Sequence, residues 1–189
     1  MANHCNNFVT FNGSEDNIRQ LVNKFNNCEK TLWRDSFYEF VNLDIDPNAD
    51  VYKEFGTKWF DPYVQAEQLN GDDSYITISG ESAWSPIIEF AHKICKQFNV
   101  TAEGEYDECG LDFGGFYQID SAGNVTDKEY NHLKYLYLSG DIECVYNELE
   151  SYLENNTINE TIKRLDDIRD VITDEEHTEM FNHIMTAKL

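Results

Sequence analysis

The chain has 189 residues, 41% of them hydrophobic and 14% aromatic, with 36 Asp and Glu against 14 Lys and Arg. That is enough apolar material for one packed domain, or one domain with a helical appendage, and it excludes wholesale disorder. The formal net charge of −22 excludes an electrostatic grip on DNA, RNA or an anionic membrane surface, and favours basic partners, bound cations or simple solubility.

Residues 5–11 read as a strand, ended by Gly13. Ser14 is a good N-cap, with Glu15 and Asp16 in the first turn to complement the helix dipole. Ile18, Leu21, Val22 and Phe25 then share one helical face. Residues 37–43 fit a strand, 44–50 a loop, and 51–55 a short helical turn before Gly56; residues 59–69 are ambiguous. After the turn at Asn70-Gly71, residues 75–79 alternate as a half-buried strand. Ser85 and Pro86 mark a helix start, as N-cap and N1, and Ile87, Ala91, Ile94, Cys95 and Phe98 line its face. Residues 100–106 and 113–119 follow as strands. Asp141 caps a helix carrying Val145, Leu149 and Leu153; Ile158 to Ile172 mark another. Thr173 and Glu176 form a capping box for the last. The pattern predicts an α+β ferredoxin-like domain over residues 1–130, an antiparallel sheet with helices on one face, and a helical extension over 131–189.

Five cysteines, at 5, 28, 95, 109 and 144, form no Cys-x-x-Cys pair, and no apolar leader precedes them. The expected compartment is the reducing cytosol, with buried thiols. No apolar run approaches the roughly 18 residues that span a membrane, so no membrane partner is expected.

The motifs lie between residues 5 and 115: Cys5-x-Asn7, Gly56-Thr57-Lys58-Trp59, Ser82-Ala83-Trp84-Ser85-Pro86, and Tyr106-x-Glu108-x-Gly110-x-Asp112-Phe113-x-Gly115. In this order and spacing they resemble the YubB-like ferredoxin-like domain of bacterial plasmid and phage proteins, over about residues 1 to 130. The resemblance implies a ferredoxin-like fold without an iron–sulfur cluster and an origin on a mobile element. It brings no known reaction.

From residue 59 to 127 there are 13 Asp and Glu and only two bases, Lys93 and Lys96. Glu103, Glu105 and Asp107 alternate and so share one strand face, about 6.6 Å apart along it. With Glu108 and Asp112 they are the candidate partner-binding surface; the competing reading is a solvated sheet face. Trp59 and Trp84 are candidate aromatic contacts, although a Trp beside a helix start more often plugs a core. Asp44, Asp46, Asn48 and Asp50 open like a calcium loop, but Ala49 stands where the turn needs Gly and Phe55 where a bidentate Glu belongs. At most weak calcium binding is expected there, with no other metal and no cofactor. Ser85 lacks a nucleophile elbow, and no catalytic residue stands out.

The leading expectation is a non-enzymatic interaction protein of phage or plasmid type that binds a basic host protein and no nucleic acid. A DNA-mimic, anti-defence inhibitor is its sharpest form. One alternative is an enzyme or small-ligand binder with a carboxylate-lined pocket around Glu108 and Asp112. Another is an assembly protein that forms a homodimer through its helical tail.

Overall fold

A computed structural model of the chain describes residues 4–45 and 48–187, Asp72 by its backbone alone. The chain divides into two compact units, residues 1–129 and 130–189.

The first unit is built on β1 (His4–Gly13), whose alternation puts Cys5, Asn7, Val9 and Phe11 inside and leaves His4, Asn6 and Phe8 outside. The α-helix α1 (Glu15–Asn27) buries Ile18, Leu21, Val22 and Phe25, the predicted stripe. Ser14 stands at its N-cap, but its side chain makes no cap bond. Residues expected to extend instead wind into α2 (Arg34–Phe40). Their aromatics favour strands on propensity, but Phe37 and Phe40 at i, i+3 make one helical face. There Phe37 packs on Phe55 and Phe90, with ring centroids 5.0 and 4.9 Å away. The predicted turn is α3 (Val51–Phe55), capped by Asp50 and ended by Gly56 at φ +79°.

The ambiguous stretch is a strand, β2 (Phe60–Gln68). A register shift between Val64 and Ala66 interrupts its alternation, and Pro62 sits within it. Pro is tolerated there because β2 is an edge strand. Strand β3 (Ser74–Ala83) returns beside it. Helix α4 (Ile88–Phe98) starts two residues after Pro86, and Ile87, not Ser85, is its N-cap. Strands β4 (Thr101–Glu108), β5 (Phe113–Ile119) and β6 (Val125–Tyr130) complete the unit's sheet. The last of these has no apolar alternation that would predict it.

The sheet order is β2-β3-β1-β4-β5-β6, and the ladders joining β1 to β5 are all antiparallel. The first four strands, with α1 and α4 as crossings, give the ferredoxin-like arrangement; β5 and β6 extend it. Residues 5–11 and 75–79, expected in one sheet, lie on neighbouring strands of it, with Phe8 opposite Ser79 and Phe11 opposite Ile76. One sheet face is covered: α1 packs on β1 and β3, and α4 on β4 and β5. Ile78 and Ile94 are fully buried there, Phe25 and Phe98 nearly so, and Phe113 only partly. The other face is open.

The second unit holds α5 (His132–Leu138), α6 (Ile142–Asn155), α7 (Ile158–Asp166) and α8 (Asp174–Ala187). Leu133, Val145, Leu149, Leu153, Leu165, Ile168, Ile172, Met180 and Ile184 form its core. The predicted caps are in place. Asp141 accepts from the Cys144 N–H, and Thr173 and Glu176 cap each other's backbone. Thr157 and Glu160 make a second capping box at α7.

Candidate interaction surface

In antiparallel strands, residues paired across a ladder point to the same face. Registers therefore turn the open face into rows. Asp61, Glu81, Asn6 and Asp107 make one row; Tyr63, Ser79, Phe8, Glu105 and Phe116 make the next; Ala66, Thr77, Thr10, Glu103 and Gln118 make a third. These rows hold five carboxylates and no Lys or Arg. Tyr63 is 65% exposed and Phe8 43%, so two aromatic rings stand in solvent among the acids.

Glu103, Glu105 and Asp107 lie together on this face, as their alternation required. The Asn6 amide donates to Asp107 Oδ2 at 3.2 Å. Partial burial, and next the charge of Asp107, raise the pKa of Glu105 above the ordinary carboxylate value. His4 Nδ1 sits 2.7 Å from Glu81 Oε2.

Glu108 stands apart from this group. One step out of phase, it falls on the helix-covered side and is 3% exposed. Its Oε1 accepts from the Gly110 N–H at 3.1 Å, while Oε2 is buried without a partner. Asp112 is exposed, in the left-handed region at φ +60°, at the end of the turn that follows Glu108. The pair is thus split between interior and surface. A cleft of about 570 Å³ lies elsewhere, with Lys24, Glu29, Leu32, Phe40 and Phe98 in its lining. Near Glu108, burial first and then Asp107 push the Cys5 thiol up to about 12.

The short motifs meet at one end of the sheet, where most of them serve the backbone. The Asn7 amide donates to Ser82 Oγ and to the Cys5 carbonyl, both at 2.9 Å, and its Oδ1 accepts from the Ile87 N–H at 3.0 Å. Ser82 Oγ donates to the Ser85 carbonyl at 2.6 Å. Thr57 Oγ1 takes the Ala83 N–H and lies 3.2 Å from the Ala83 carbonyl. Ser85 Oγ donates to the Gly56 carbonyl. Ser85 is therefore a loop clamp and not a helix cap.

The tryptophans sit at this same end and are not core plugs. Trp33 is 55% and Trp84 40% exposed, and Trp59 is half-buried. Trp59 lies edge-on to His4 at 5.2 Å and 6.4 Å from Trp33. Lys58 Nζ stands 4.5 Å from the Trp84 ring centre.

Of the calcium candidates, Asp46 lies outside the described residues. Asp44 and Asn48 are exposed, and Asp50 Oδ1 accepts from the Tyr52 N–H as the cap of α3. Among the described residues no group of three or more His, Cys, Asp or Glu is placed to hold a metal ion, and no helix is long and apolar enough to cross a membrane.

Sequence reasoning missed Asp61, Glu81, Phe8, Tyr63, His4 and Lys58 as members of the surface. The strand register is the signal that finds them. A protein-family model described as a ferredoxin-like domain in Api92-like protein matches residues 64–180, more than half of the chain. The matched stretch runs from β2 into α8, whereas the resemblance carried by the short motifs stops near residue 130. No curated protein and no solved structure matches the chain.

Proposed function

The chain belongs to the family of ferredoxin-like domains in Api92-like proteins, and on that premise we propose that it is an interaction protein whose open sheet face takes a basic protein. One observation carries the reading. The open face presents Asp61, Glu81, Glu103, Glu105 and Asp107 around exposed Phe8 and Tyr63, with no Lys or Arg in those rows. Aligned carboxylates attract a basic surface and repel nucleic acid, while the aromatic rings supply apolar contact. Asp112 borders the face from its turn, and Glu108 contributes from beneath by fixing that turn at Gly110. In its sharpest form the protein is of the YubB-like, phage or plasmid type and acts in the bacterial cytoplasm. There it occupies the DNA channel of a basic defence enzyme, with carboxylates standing in for phosphates. The net charge of −22 supports that form.

The test is affinity purification from the bacterial host at low salt, followed by binding of the purified partner to wild type and to a variant with Glu103, Glu105 and Asp107 all changed to Lys. Exposed charges are screened over about 8 Å at physiological salt. Association should therefore weaken steeply as salt rises, and the variant should associate more slowly while its circular dichroism stays that of wild type. A partner held equally well by the variant, or held without salt dependence, would overturn the reading.

A further inference from the structure

Trp84 has a backbone φ of +64°. Among the described residues the other non-glycine positions in that region are Asn42, Asn99 and Asp112, short polar residues that visit it routinely. A bulky indole does not, and its neighbours hold it there. Thr57 grips Ala83 on one side, and Ser82 and Gly56 tie down Ser85 on the other. The ring this strained residue carries is not packed away. It is 40% exposed, at the same end of the sheet as two more exposed or half-buried tryptophans, and the N–H of Ala83 just before it donates to the Trp59 carbonyl at 3.3 Å. Backbone strain held in place to keep an aromatic ring in solvent points to a ligand.

Three observations give the ligand's charge. A cation, the Lys58 ammonium, already lies over the Trp84 ring at 4.5 Å. His4, edge-on to Trp59, is paired with the Glu81 carboxylate at 2.7 Å. Asp61, two residues after Trp59 and opposite Glu81, has a buried Oδ1 without a partner. Indoles beside carboxylates suit a guanidinium better than an ammonium. The guanidinium is planar, weakly hydrated and able to stack while it donates in plane.

We propose that this tryptophan rim is the anchor subsite for an arginine side chain of the partner, with Lys58 as an internal placeholder that the arginine displaces from Trp84. The proposal rests on the basic-partner reading above and assigns that partner's chemistry. Trp and Arg are the side chains that most often dominate such contacts.

The test uses the full chain and synthetic peptides of equal length that alternate glycine with arginine, lysine or citrulline. Trp33, Trp59 and Trp84 are the chain's three tryptophans, so indole fluorescence reads this rim. The arginine peptide should bind about two- to five-fold tighter than the lysine peptide of equal charge, the factor a partly exposed cation–π contact supplies. The citrulline peptide should bind far more weakly. Lys58→Ala should tighten the arginine peptide by a similar factor, and only while Trp84 is present. Trp84→Gly removes the ring and relieves the backbone. It should keep at least wild-type resistance to urea and lose the arginine preference.

Equal binding of the arginine and lysine peptides, or a preference that survives in Trp84→Gly, overturns the proposal and leaves the basic-partner reading standing. Citrulline binding as tight as arginine makes the rim a platform for neutral planar groups and overturns it as well. A loss of urea resistance in Trp84→Gly makes Trp84 a structural plug and likewise overturns the proposal. If neither cationic peptide binds, the proposal and the basic-partner reading fall together.

Discussion

The sheet unit and the helical unit solve the problem of helix ends in opposite ways. In the sheet unit the short α3 is capped by Asp50, but the helices α1, α2 and α4 have no side-chain cap. The end of α4 is instead served from across the sheet, where Asn7 accepts the Ile87 N–H. In the helical unit α5, α6 and α7 are each capped by a residue at their own start, Asn131, Asp141 and Thr157. Their cores differ in the same sense. Large rings such as Phe37, Phe55, Phe60, Phe90, Tyr106 and Tyr117 fill the first, while the buried core of the second is aliphatic and Met. An orphan helix N–H must find an acceptor somewhere. At α4 tertiary structure supplies it, through Asn7; at α3 and at α5 to α7 the local sequence does.

This contrast can be broken by experiment. The largest effect is expected from Ile94→Ala, which removes a fully buried side chain from the α4 face and should cost about 2–5 kcal/mol. Hydrogen exchange should show the loss in the sheet unit and leave protection of α6 and α7 unchanged. Equal loss in both would mean that the two units unfold as one.

Next, Thr157→Ala removes the capping box of α7 and should cost about 0.5–2 kcal/mol, read as faster exchange in α7 alone. An unchanged α7 would show that local capping is not what holds these helices.

The smallest effects separate the units by pH. Backbone N–H donors, first Thr157 to Glu160 and Thr173 to Glu176, hold those two carboxyls below their usual range. The cap stability they contribute is complete above the unfolded carboxyl pKa, and it is lost as pH falls through the depressed folded value. Glu105 has the opposite sign. Its raised pKa makes its ionised form a burden at neutral pH that disappears once it is protonated. Glu105→Gln should therefore slightly stabilise the sheet unit at pH 7 and change nothing below the ordinary carboxylate range. A gain that persists in acid would show that the cause is packing and not charge.

Much of the fold is legible in the sequence. The stripes of α1 and α4, the alternation of β1 and β3 and the Asp141 and Thr173 caps follow directly from residue spacing. What is hidden has physical causes. The bulge at Val64 and Ala66 erases the period of β2, and β6 is polar on both sides. Phe37 and Tyr38 carry strand propensity into a helix. The surface is half readable. The parity that joins Glu103, Glu105 and Asp107 also places Glu108 on the other side, where a carboxylate is not expected. Asp61 and Glu81 join the face only through pairing across β2, β3 and β1. Trp84 looks like a core residue because it precedes a proline and a helix. The clamps that turn it outward come from Thr57 and Gly56, far away in the chain.

The central position of β1 has a consequence for the chain's birth. Phe8 pairs with Ser79 on one side and Glu105 on the other, partners made about 70 and about 100 residues later. At about 5–20 residues per second, the first strand leaves the ribosome several seconds before either neighbour exists. During that wait α1 is already made as a partner for its inner side, with Phe25 against Phe11, and both strand edges stay unpaired. The interval between synthesis of β1 and of its neighbours is thus the period when this acidic protein is most open to chaperones or to pairing with another nascent copy. Its charge serves it then too, because Glu15 and Asp16 directly follow the waiting strand and set like charge against like whenever two copies meet.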